Sequence, residues 1–459
     1  MAVPGLAGLL NIGLSGLGAA RAGIATHGRN AANANTPGYV REQVNLQSGR
    51  GAPLDGGVTV RDISRAADPF LSSQERTSDG VLGRSDTMKA TFEALEARIA
   101  AQGHNLVEAI AALFGGISEL ESAPADPVVR QDVIGKAQGV ASTFQSAAGA
   151  ITEAQGLTDN QLSALASEAT RIAGALAGTN AAAAAPSPDP AVLDQRELLA
   201  RQLAAITGGQ ARVDSDGHMR FVLDNGAVLV DGTKAAEIRA TADNTLGGHV
   251  RIDLVDGPHV TNVTGQMVSG KMGGLLAVRD GALESARAAI DQLAYDFSTA
   301  MNAAHRQGQG LDGQTGIALF NDPLVVDGAA AALQVDANVL ADQRNLAAGT
   351  VGAGPADNGG ARALSALASQ RLAGGGTRSF TDHAIDILSS VGHAAALAGS
   401  EYDVALSRSD ALQAIRDDRS GVSMEDELAG LAQFQHAHEA AVRFLAAVDE
   451  TFSDLLQRL

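Results

Sequence analysis

Histidine and glutamate stand close together near the C-terminus in an arrangement that approaches a zinc-protease motif. His438-Glu439-Ala440-Ala441 would need a second histidine one helical turn after the first, and Val442 occupies that position. Without two imidazoles on one helix face, the zinc chemistry of that motif fails. His436 and His438 are two residues apart, so on a helix they point to different faces. The pattern predicts no zinc site here.

Two other polar stretches resemble functional motifs only in part. Asp214–Gly217 (Asp-Ser-Asp-Gly) is like the start of a calcium loop, but the later acidic ligands are missing. Asp194–Glu197 (Asp-Gln-Arg-Glu) carries acids and arginine at helical spacing, which is typical of a solvated or salt-bridged face. The chain also has no cysteine, no Gly-x-Ser-x-Gly sequence and no phosphate-binding loop. The sequence therefore predicts no catalytic residue, no cofactor and no metal, and a protein that is not an enzyme.

Composition and charge narrow the class of protein further. The chain has 459 residues, enough for two to four domains. Its net charge of −19 argues against nucleic acid or an anionic membrane as the main partner. Residues 1–20 are uncharged, but they have no basic n-region and are interrupted by glycines, so we expect no Sec signal peptide and no transmembrane helix.

The elements that would position any interacting surface lie at the two chain ends. Residues 421–459 show apolar positions that alternate at four and three residues, which keeps one helix face turned towards a partner. Ser423 followed by three acids provides a helix start. The seam consists of Met424, Leu428, Leu431, His438, Val442, Leu445, Phe452, Leu456 and Leu459, with Phe434, Ala441, Val448 and Leu455 beside it.

The N-terminal segment is a candidate partner for that helix. Between residues 6 and 34 a similar stripe contains Leu10, Leu14, Leu17 and Ile24, among many small residues that allow close helix approach. Residues 1–50 carry four arginines and one glutamate, whereas residues 420–459 carry two arginines and seven acids. These patterns predict that the two ends pair in a helical bundle. The alternative is two ordinary surface helices.

The middle of the chain predicts a long helical body interrupted by a β domain. Heptad-like spacing indicates helices over residues 133–151 and, as a separate segment, over residues 162–176. Between residues 210 and 264, short alternating runs are separated by Asn-Gly and Asp-Gly pairs, which are strong hairpin signals. The predicted domains are the terminal helices (1–42 and 420–459), a body with a hairpin arm (43–204 and 269–419) and an inserted antiparallel β domain (205–268).

Both chain ends also resemble a known family. The stretch Ala32–Tyr39 (Ala-Asn-Ala-Asn-Thr-Pro-Gly-Tyr) is similar to the N-terminal signature of the bacterial flagellar rod, hook and hook-associated proteins, and Gly421–Leu428 is similar to their C-terminal signature. In the middle, the region of Asp126 to Phe144 and the stretch Leu193–Leu199 resemble the hook-associated protein 1 branch, which lies at the hook–filament junction. Thr36–Tyr39 itself predicts a tight turn, because Pro37 fixes its own φ and Gly38 accepts a positive φ.

The resemblance implies a fold, a function and a set of partners. The fold would be mainly α with an inserted β domain, in an elongated, discontinuous axial protein whose N- and C-terminal helices pair as a coiled-coil bundle. The function would be structural: self-assembly at the hook tip after export through the flagellar type III apparatus, to an extracellular position. The terminal segments would be disordered or frayed in the monomer. The remaining alternatives are another axial protein, such as hook or distal rod, or an extracellular enzyme on a flagellar scaffold.

The implied partners are other copies of this chain, the hook protein, a second hook-associated junction protein and an export chaperone, with no nucleic acid and no membrane insertion. We expect the chaperone to bind Leu428, Leu431, Val442, Leu445 and Phe452 in a groove. The residues expected at the assembly interface are Leu10, Leu14, Leu17, Ile24, Asn33, Asn35, Pro37, Gly38, Tyr39, Leu428, Leu431, Phe434, Val442, Leu445, Phe452 and Leu456.

Overall fold

The computed structural model describes residues 5–49, 56–101 and 106–458, apart from the side chains of residues 6–7, 99–101, 455–456 and 458. It is mainly helical with small antiparallel sheets, which confirms the predicted fold class. In the described part, the helices are α1 (Leu6–Asn33), α2 (Pro69–Ala101), α3 (Leu106–Ser122), α4 (Pro127–Ala183), α5 (Pro190–Thr207), α6 (Gly270–Ala277), α7 (Glu284–Gln307), α8 (Ala329–Ala332), α9 (Ala337–Ala341), α10 (Gly359–Ala366), α11 (Phe380–Ser420) and α12 (Met424–Arg458).

The strands of the described residues are short. They are β1 (Glu42–Ser48), β2 (Val58–Arg65), β3 (Gln210–Val213), β4 (Met219–Val222), β5 (Val228–Asp231), β6 (Lys234–Ala235), β7 (Glu237–Ala242), β8 (Val250–Asp256), β9 (His259–Asn262), β10 (Gly308–Gln309) and β11 (Gly349–Thr350). A π-helical segment, Val278–Leu283, joins α6 to α7.

Helix α4 corrects one expectation from the sequence. The heptad spacing predicted two separate helices over its length, but α4 is a single helix of 57 residues. The Asp126 side chain accepts hydrogen bonds from the amides of Val128 and Val129, and Pro127 occupies the first turn, so the start is well defined. No proline lies between Val128 and Ala185, so nothing in the sequence forces the helix to end earlier.

The body core forms around Phe297 on α7. Its ring lies 5.2 Å from that of Phe380 and 5.6 Å from that of Phe320, measured between centroids, with Phe114 and Phe144 also in contact. Side chains from α3, α4, α7, α10 and α11 complete this apolar cluster. Buried aromatic side chains carry large apolar areas, so this cluster is the main source of stability in the body.

The inserted β domain consists of two sheets with strand orders β3-β4-β5-β6 and β7-β8-β9. Its hairpins turn where the sequence predicts: Gly217, Gly226 and Gly257 all have positive φ. Its apolar residues form a second core with α4, α5 and α6. Strands β3 to β9 lie inside the range 205–268; the exact domain limits stay a prediction.

The terminal helices α1 and α12 pack against each other in antiparallel order. Gly13 of α1 faces Leu445 of α12, and Gly23 faces Phe434. The β1–β2 hairpin forms the predicted arm and lies on α1, where the Ser15 hydroxyl accepts a hydrogen bond from the Val58 amide at 3.2 Å. Among the described helices, none combines the length and apolar character that crossing a membrane requires.

Candidate functional site

The turn that follows α1 has the geometry that the sequence predicts. The Tyr39 amide donates to the Thr36 carbonyl at 3.1 Å, and Gly38 has a φ of 84°. The Tyr39 hydroxyl donates to Asn30 Oδ1 at 2.8 Å. Burial and the nearby Glu42 carboxylate raise the pKa of Tyr39 well above its usual value, so the phenol keeps its proton and remains a donor.

Glu427, in the first turn of α12, is the centre of a buried polar cluster. Its side chain is 0 % exposed. It accepts hydrogen bonds from His27 Nδ1 at 2.6 Å, from Asn30 Nδ2 at 2.9 Å and from Arg41 Nε at 2.6 Å. Burial acts to raise the pKa of Glu427, but these three donors outweigh it and hold the pKa below its usual value. The carboxylate is therefore charged and fixed to the N-terminal segment.

Asn30 connects the two chain ends within this cluster. Besides its bond to Glu427, its Nδ2 donates to the Glu42 carbonyl at 2.9 Å. Its Oδ1 accepts from the Tyr39 hydroxyl and, at 2.9 Å, from the Glu42 amide. Asn30 is fully buried, and these four bonds use both of its donors and its acceptor oxygen. A residue of another shape would leave several buried polar groups without partners.

Backbone hydrogen bonds tie the same cluster to the end of α11 and to the arm. The Arg41 amide donates to the Ser420 carbonyl at 3.1 Å, and the Ala66 amide donates to the Arg41 carbonyl at 2.9 Å. The Ser420 hydroxyl donates to the Ala66 carbonyl at 2.6 Å. The two chain segments that connect α1 and α12 to the body therefore both run through this junction.

Helix α5 contributes the third sequence motif to this junction. Asp194 accepts a hydrogen bond from the Val40 amide at 3.2 Å and pairs with Arg65 at 2.5 Å. Burial raises the pKa of Asp194, and the adjacent Arg65 partly offsets that effect. Arg196 donates to the Gly217 carbonyl at 2.7 Å, and Glu197 pairs with Arg76. This charged stretch therefore fits the salt-bridged interpretation and not the solvated one. Asp194 and Arg196 are both buried.

Glycines set the close approach along the rest of the helix pair. A Cβ at Gly23 would lie 2.4 Å from the ring of Phe434, and one at Gly13 would lie 2.5 Å from Leu445 Cδ2. On α12, a Cβ at Gly430 would meet the imidazole of His27 at 2.4 Å. Each large side chain thus fits against a glycine of the partner helix, and a Cβ at any of these three glycines would require the facing side chain or the helix to shift.

The predicted interface residues divide into two groups in the structure. Some lie exposed on the outside of the helix pair or its turn: Leu10, Leu14, Asn35, Pro37, Leu428, Val442 and Phe452. Others are half-buried between or beside the helices: Leu17, Ile24, Asn33, Gly38, Tyr39, Leu431, Phe434 and Leu445. The side chain of Leu456 lies outside the described residues. Contact with another subunit is not tested by a single chain, so the interface stays a prediction.

The junction residues themselves were not identified from the sequence. In the sequence, Glu427 is an acid at the positive end of a helix and Arg41 is one of four arginines near the N-terminus, whereas no pattern marks His27 or Asn30. The sequence feature that could have identified these four residues is their position, because all of them lie within or beside the two terminal signature stretches. Their convergence required knowledge of the fold.

The stretch that resembles the start of a calcium loop has a structural role. Asp214 Oδ1 accepts from the amides of Asp216 and His218 at 3.0 Å and 2.9 Å, so it stabilises the turn between β3 and β4. No group of three or more histidine, aspartate or glutamate side chains with metal-binding geometry occurs in the described part of the chain.

The chain is similar to flagellar proteins along most of its length. Residues 92–320 match the family described as the flagellar hook-associated protein FlgK helical domain. Flagellar hook-associated protein 1 of Salmonella typhimurium is 28% identical over 331 residues, which cover 69% of this chain and 60% of that protein. The protein of the same name from Bacillus subtilis is 24% identical over 493 aligned positions, with 96% of each chain covered.

A solved structure shares the fold. The flagellar hook junction protein FlgK from Burkholderia pseudomallei superposes with a TM-score of 0.69 at 15% identity, covering 75% of this chain and 99% of that one. This likeness concerns the fold alone. This chain matches 60% of the length of the Salmonella relative.

Proposed function

Because this chain belongs to the flagellar hook-associated protein 1 family, we propose that it is a structural, self-assembling component of the bacterial flagellum that joins the hook to the filament. The proposal concerns the whole protein, including its export, its position at the hook tip and its partners. Its role is mechanical and architectural rather than catalytic.

The observation that carries the proposal is the convergence of both terminal signatures on one junction. Glu427, from the C-terminal stretch, is bound by His27 and Asn30 just before the N-terminal stretch and by Arg41 just after it. Asp194, from the middle motif, holds Val40 and Arg65 beside them. The sequence features that resemble axial proteins are therefore used to fix a terminal helix pair onto a body, as an axial subunit requires.

The terminal helices suit a role as the assembling part. Helix α12 packs chiefly against α1, and apolar side chains such as Leu14, Leu428 and Val442 stay exposed on the pair. We propose that these ends are disordered or frayed before assembly, which suits passage through a narrow export channel. At the growing tip they would order against neighbouring subunits, where burial of about 25 cal/mol per Å² offsets the ordering entropy.

The body and the β domain would form the outer layer of the assembly. The body has an apolar core around Phe297, and a second core joins the β domain to α4, α5 and α6. In this proposal residues 43–204 and 269–419 form the body and residues 205–268 the inserted domain. The outer layer would adapt the curved hook to the stiffer filament.

The proposed partners are further copies of this chain, the hook protein, a second hook-associated junction protein and an export chaperone. The chaperone would take α12 before export, using Leu428, Leu431, Val442, Leu445 and Phe452 as anchors in a groove. Export would follow the flagellar type III route to an extracellular site. Nucleic acid and membrane are not proposed as partners, because the net charge of −19 repels both.

The decisive experiment is deletion of the gene in its own bacterium, followed by electron microscopy of the flagella. We expect complete hooks without filaments, and unpolymerised filament subunits in the medium. The full chain supplied in trans should restore filaments, whereas a chain without residues 424–459 should not.

Two other outcomes would overturn the proposal. Loss of the hook itself would assign the chain to the hook or the distal rod. Normal filaments after deletion would remove any junction role and return attention to an enzyme on a flagellar scaffold.

A further inference from the structure

The two sheets of the β domain end in four edge strands, β3, β6, β7 and β9. An edge strand carries a row of backbone amides and carbonyls that can pair with another chain, and proteins usually block such edges. In this chain three of the four edges are blocked by other parts of the molecule or by their own composition. The fourth, β9, is open.

Side chains from two helices close the edges of β7 and β3. The Thr170 hydroxyl of α4 donates to the Ile238 carbonyl at 3.0 Å and accepts from the Ile238 amide at 2.8 Å, so both outward backbone groups of that residue are occupied. Arg76 of α2 donates to the Ala211 carbonyl of β3 at 3.3 Å. Strand β6 has only two residues, and one of them is Lys234, whose charge discourages pairing with another strand.

The register of β9 determines which of its backbone groups point outwards. The Val263 amide, just after β9, donates to a carbonyl of β8 at 2.9 Å. Because hydrogen-bonded residues alternate along an antiparallel strand, Thr261 and His259 also point their backbone groups to β8. Those of Val260 and Asn262 therefore point away from the sheet. Among the described residues, no side chain and no other strand bonds to these outward groups.

The composition of β9 leaves this edge unprotected. All four of its residues are exposed, and none is a lysine, arginine, aspartate or glutamate. Val260 is 58% exposed and lies opposite the half-buried Val255 of β8. The strand itself contains no proline and pairs with β8 without a bulge, so it lacks the usual features that protect edge strands. An extended chain alongside it would meet two donors, two acceptors and an apolar side chain.

The surroundings of β9 are negatively charged. Residues 243–262 contain three aspartates and one arginine. Arg251 pairs with both Asp243 and Asp253, at 3.0 Å and 2.9 Å. Asp256, beside the turn into β9, is exposed and forms no ion pair among the described residues. A second copy would bring the same negative charge against its own, whereas a segment with lysine or arginine would be attracted.

We infer that β9 binds an extended basic segment of a partner protein, which runs alongside it and adds a fourth strand to the β7-β8-β9 sheet. The outward backbone groups of Val260 and Asn262 pair with the segment. An apolar side chain of the segment packs on Val260, and its basic side chains lie near Asp256. This binding uses the β domain alone, so it goes beyond the proposed function and does not depend on it.

Amide exchange measured by NMR on the full chain tests the inference residue by residue. The probe is a capped synthetic peptide, Lys-Lys-Val-Thr-Val-Lys, added at low ionic strength, with its Kd taken from the chemical shifts of β9. At a peptide concentration of about twice that Kd, mass action should slow exchange of the Val260 and Asn262 amides about threefold. The amides of Thr261 and Val263 already point to β8 and should show no comparable change.

A proline variant tests whether the outward backbone groups are responsible. Val260→Pro removes one outward donor without removing a bond to β8, so the sheet should stay intact. We expect the peptide no longer to slow exchange at Asn262. Val260→Thr keeps the amide, is the matched control and should retain the effect.

Two altered peptides test the same recognition on the unmodified chain. An N-methylated peptide lacks the backbone donors, and a peptide with glutamate in place of lysine carries the opposite charge. Neither should slow exchange at Val260 or Asn262.

Several results would overturn the inference. Unchanged exchange at Val260 and Asn262 with the basic peptide, or equal slowing by the N-methylated peptide, would exclude strand addition. Equal slowing by the glutamate peptide would exclude a basic segment as the occupant. If the free chain forms a dimer in sedimentation velocity and Val260→Pro abolishes it, the occupant is a second copy. The gene deletion that tests the proposed function is a separate experiment, so either idea can fail while the other stands.

Discussion

The body and the terminal helix pair are built from opposite kinds of packing. In the body, Phe297 lies among four other phenylalanines, and most large apolar side chains of that cluster are fully buried. In the terminal pair, large side chains fit against glycines, and at one end a buried carboxylate accepts three hydrogen bonds. The body has an apolar core of its own, whereas the pair depends on geometric fit and leaves apolar side chains exposed.

The largest effect should come from the centre of the body. Phe297→Ala should lower the free energy of unfolding by about 3–5 kcal/mol, because it removes the ring that four others contact and leaves a cavity. Urea unfolding followed by circular dichroism measures the change. Phe70→Ala, at a position 72% exposed, is the control and should shift the midpoint by less than about 0.5 kcal/mol.

Acid should separate the two regions by pH. His305 of α7 is buried and neutral: its Nδ1 donates to the Ile317 carbonyl at 2.7 Å, and its Nε2 accepts from the Ala347 amide at 2.9 Å. Burial lowers the pKa of His305 to about 4 in the folded chain. The unfolded chain binds this proton at about pH 6.5, so the folded body should lose about 3 kcal/mol between pH 6.5 and 4.

Where the terminal helices are paired, the stabilising contribution of Glu427 should be lost at a lower pH than that of His305. The pKa of Glu427 is depressed in the folded chain, so its contribution is complete above the usual glutamate pKa and is lost only as the pH falls below that range. Hydrogen exchange and urea midpoints at several pH values test both windows. His305→Gln should flatten the body profile between pH 6.5 and 4, and His393→Gln, at an exposed position, should not. Loss of the Glu427 contribution at a higher pH than the His305 contribution would contradict this order.

Removing the charge at the junction should affect the pair and spare the body. Glu427→Gln places an amide among three donors, so at least one donor loses its acceptor. In the state in which α1 and α12 are paired, we expect the free energy of their opening to fall by about 2–3 kcal/mol, with α4 unchanged. Hydrogen exchange read by mass spectrometry reports both regions in one experiment. Glu425→Gln, an exposed acid in the same turn, is the control, and equal losses in α4 would show that the two regions are not independent.

The smallest effects should come from single methyl groups on α1. Gly23→Ala should destabilise the helix pair by about 1–3 kcal/mol, because its Cβ would overlap the Phe434 ring. Gly28→Ala, five residues later in the same helix, meets nothing within 4 Å and should stabilise α1 by about 0.5–1 kcal/mol. Protection of the α1 amides should therefore change in opposite directions. Stabilisation by both variants would mean that helix propensity, not fit, controls the pair.

The sequence allowed prediction of features that depend on local chemistry or on repetition. Heptad spacing and opposite charge predicted that the ends pair, Pro37-Gly38 predicted the turn, and the Asp-Gly and Asn-Gly pairs predicted the hairpins. These patterns extend over a few residues or repeat along one helix, so they can be recognised before the fold is known.

Features that depend on distant neighbours could not be predicted. Glu427 resembles any acid at a helix start until His27 and Arg41, some 400 residues away, are brought against it. Likewise, Gly23 and Gly13 weaken an isolated helix, and only the large side chains that they face on α12 explain why glycine is needed at these positions. The continuity of α4 was missed because a change in heptad pattern was interpreted as a helix end, although the helix simply passes from one core to another.

That continuity has a mechanical consequence. With 57 residues, α4 extends over about 85 Å, and its first half is packed into the Phe297 core while its second half is packed into the core shared with the β domain. A bending or twisting load applied to one core is carried to the other along a single unbroken rod. A load on the terminal helices enters this rod through the junction, where Asp194 holds the Val40 amide and Glu427 holds Arg41.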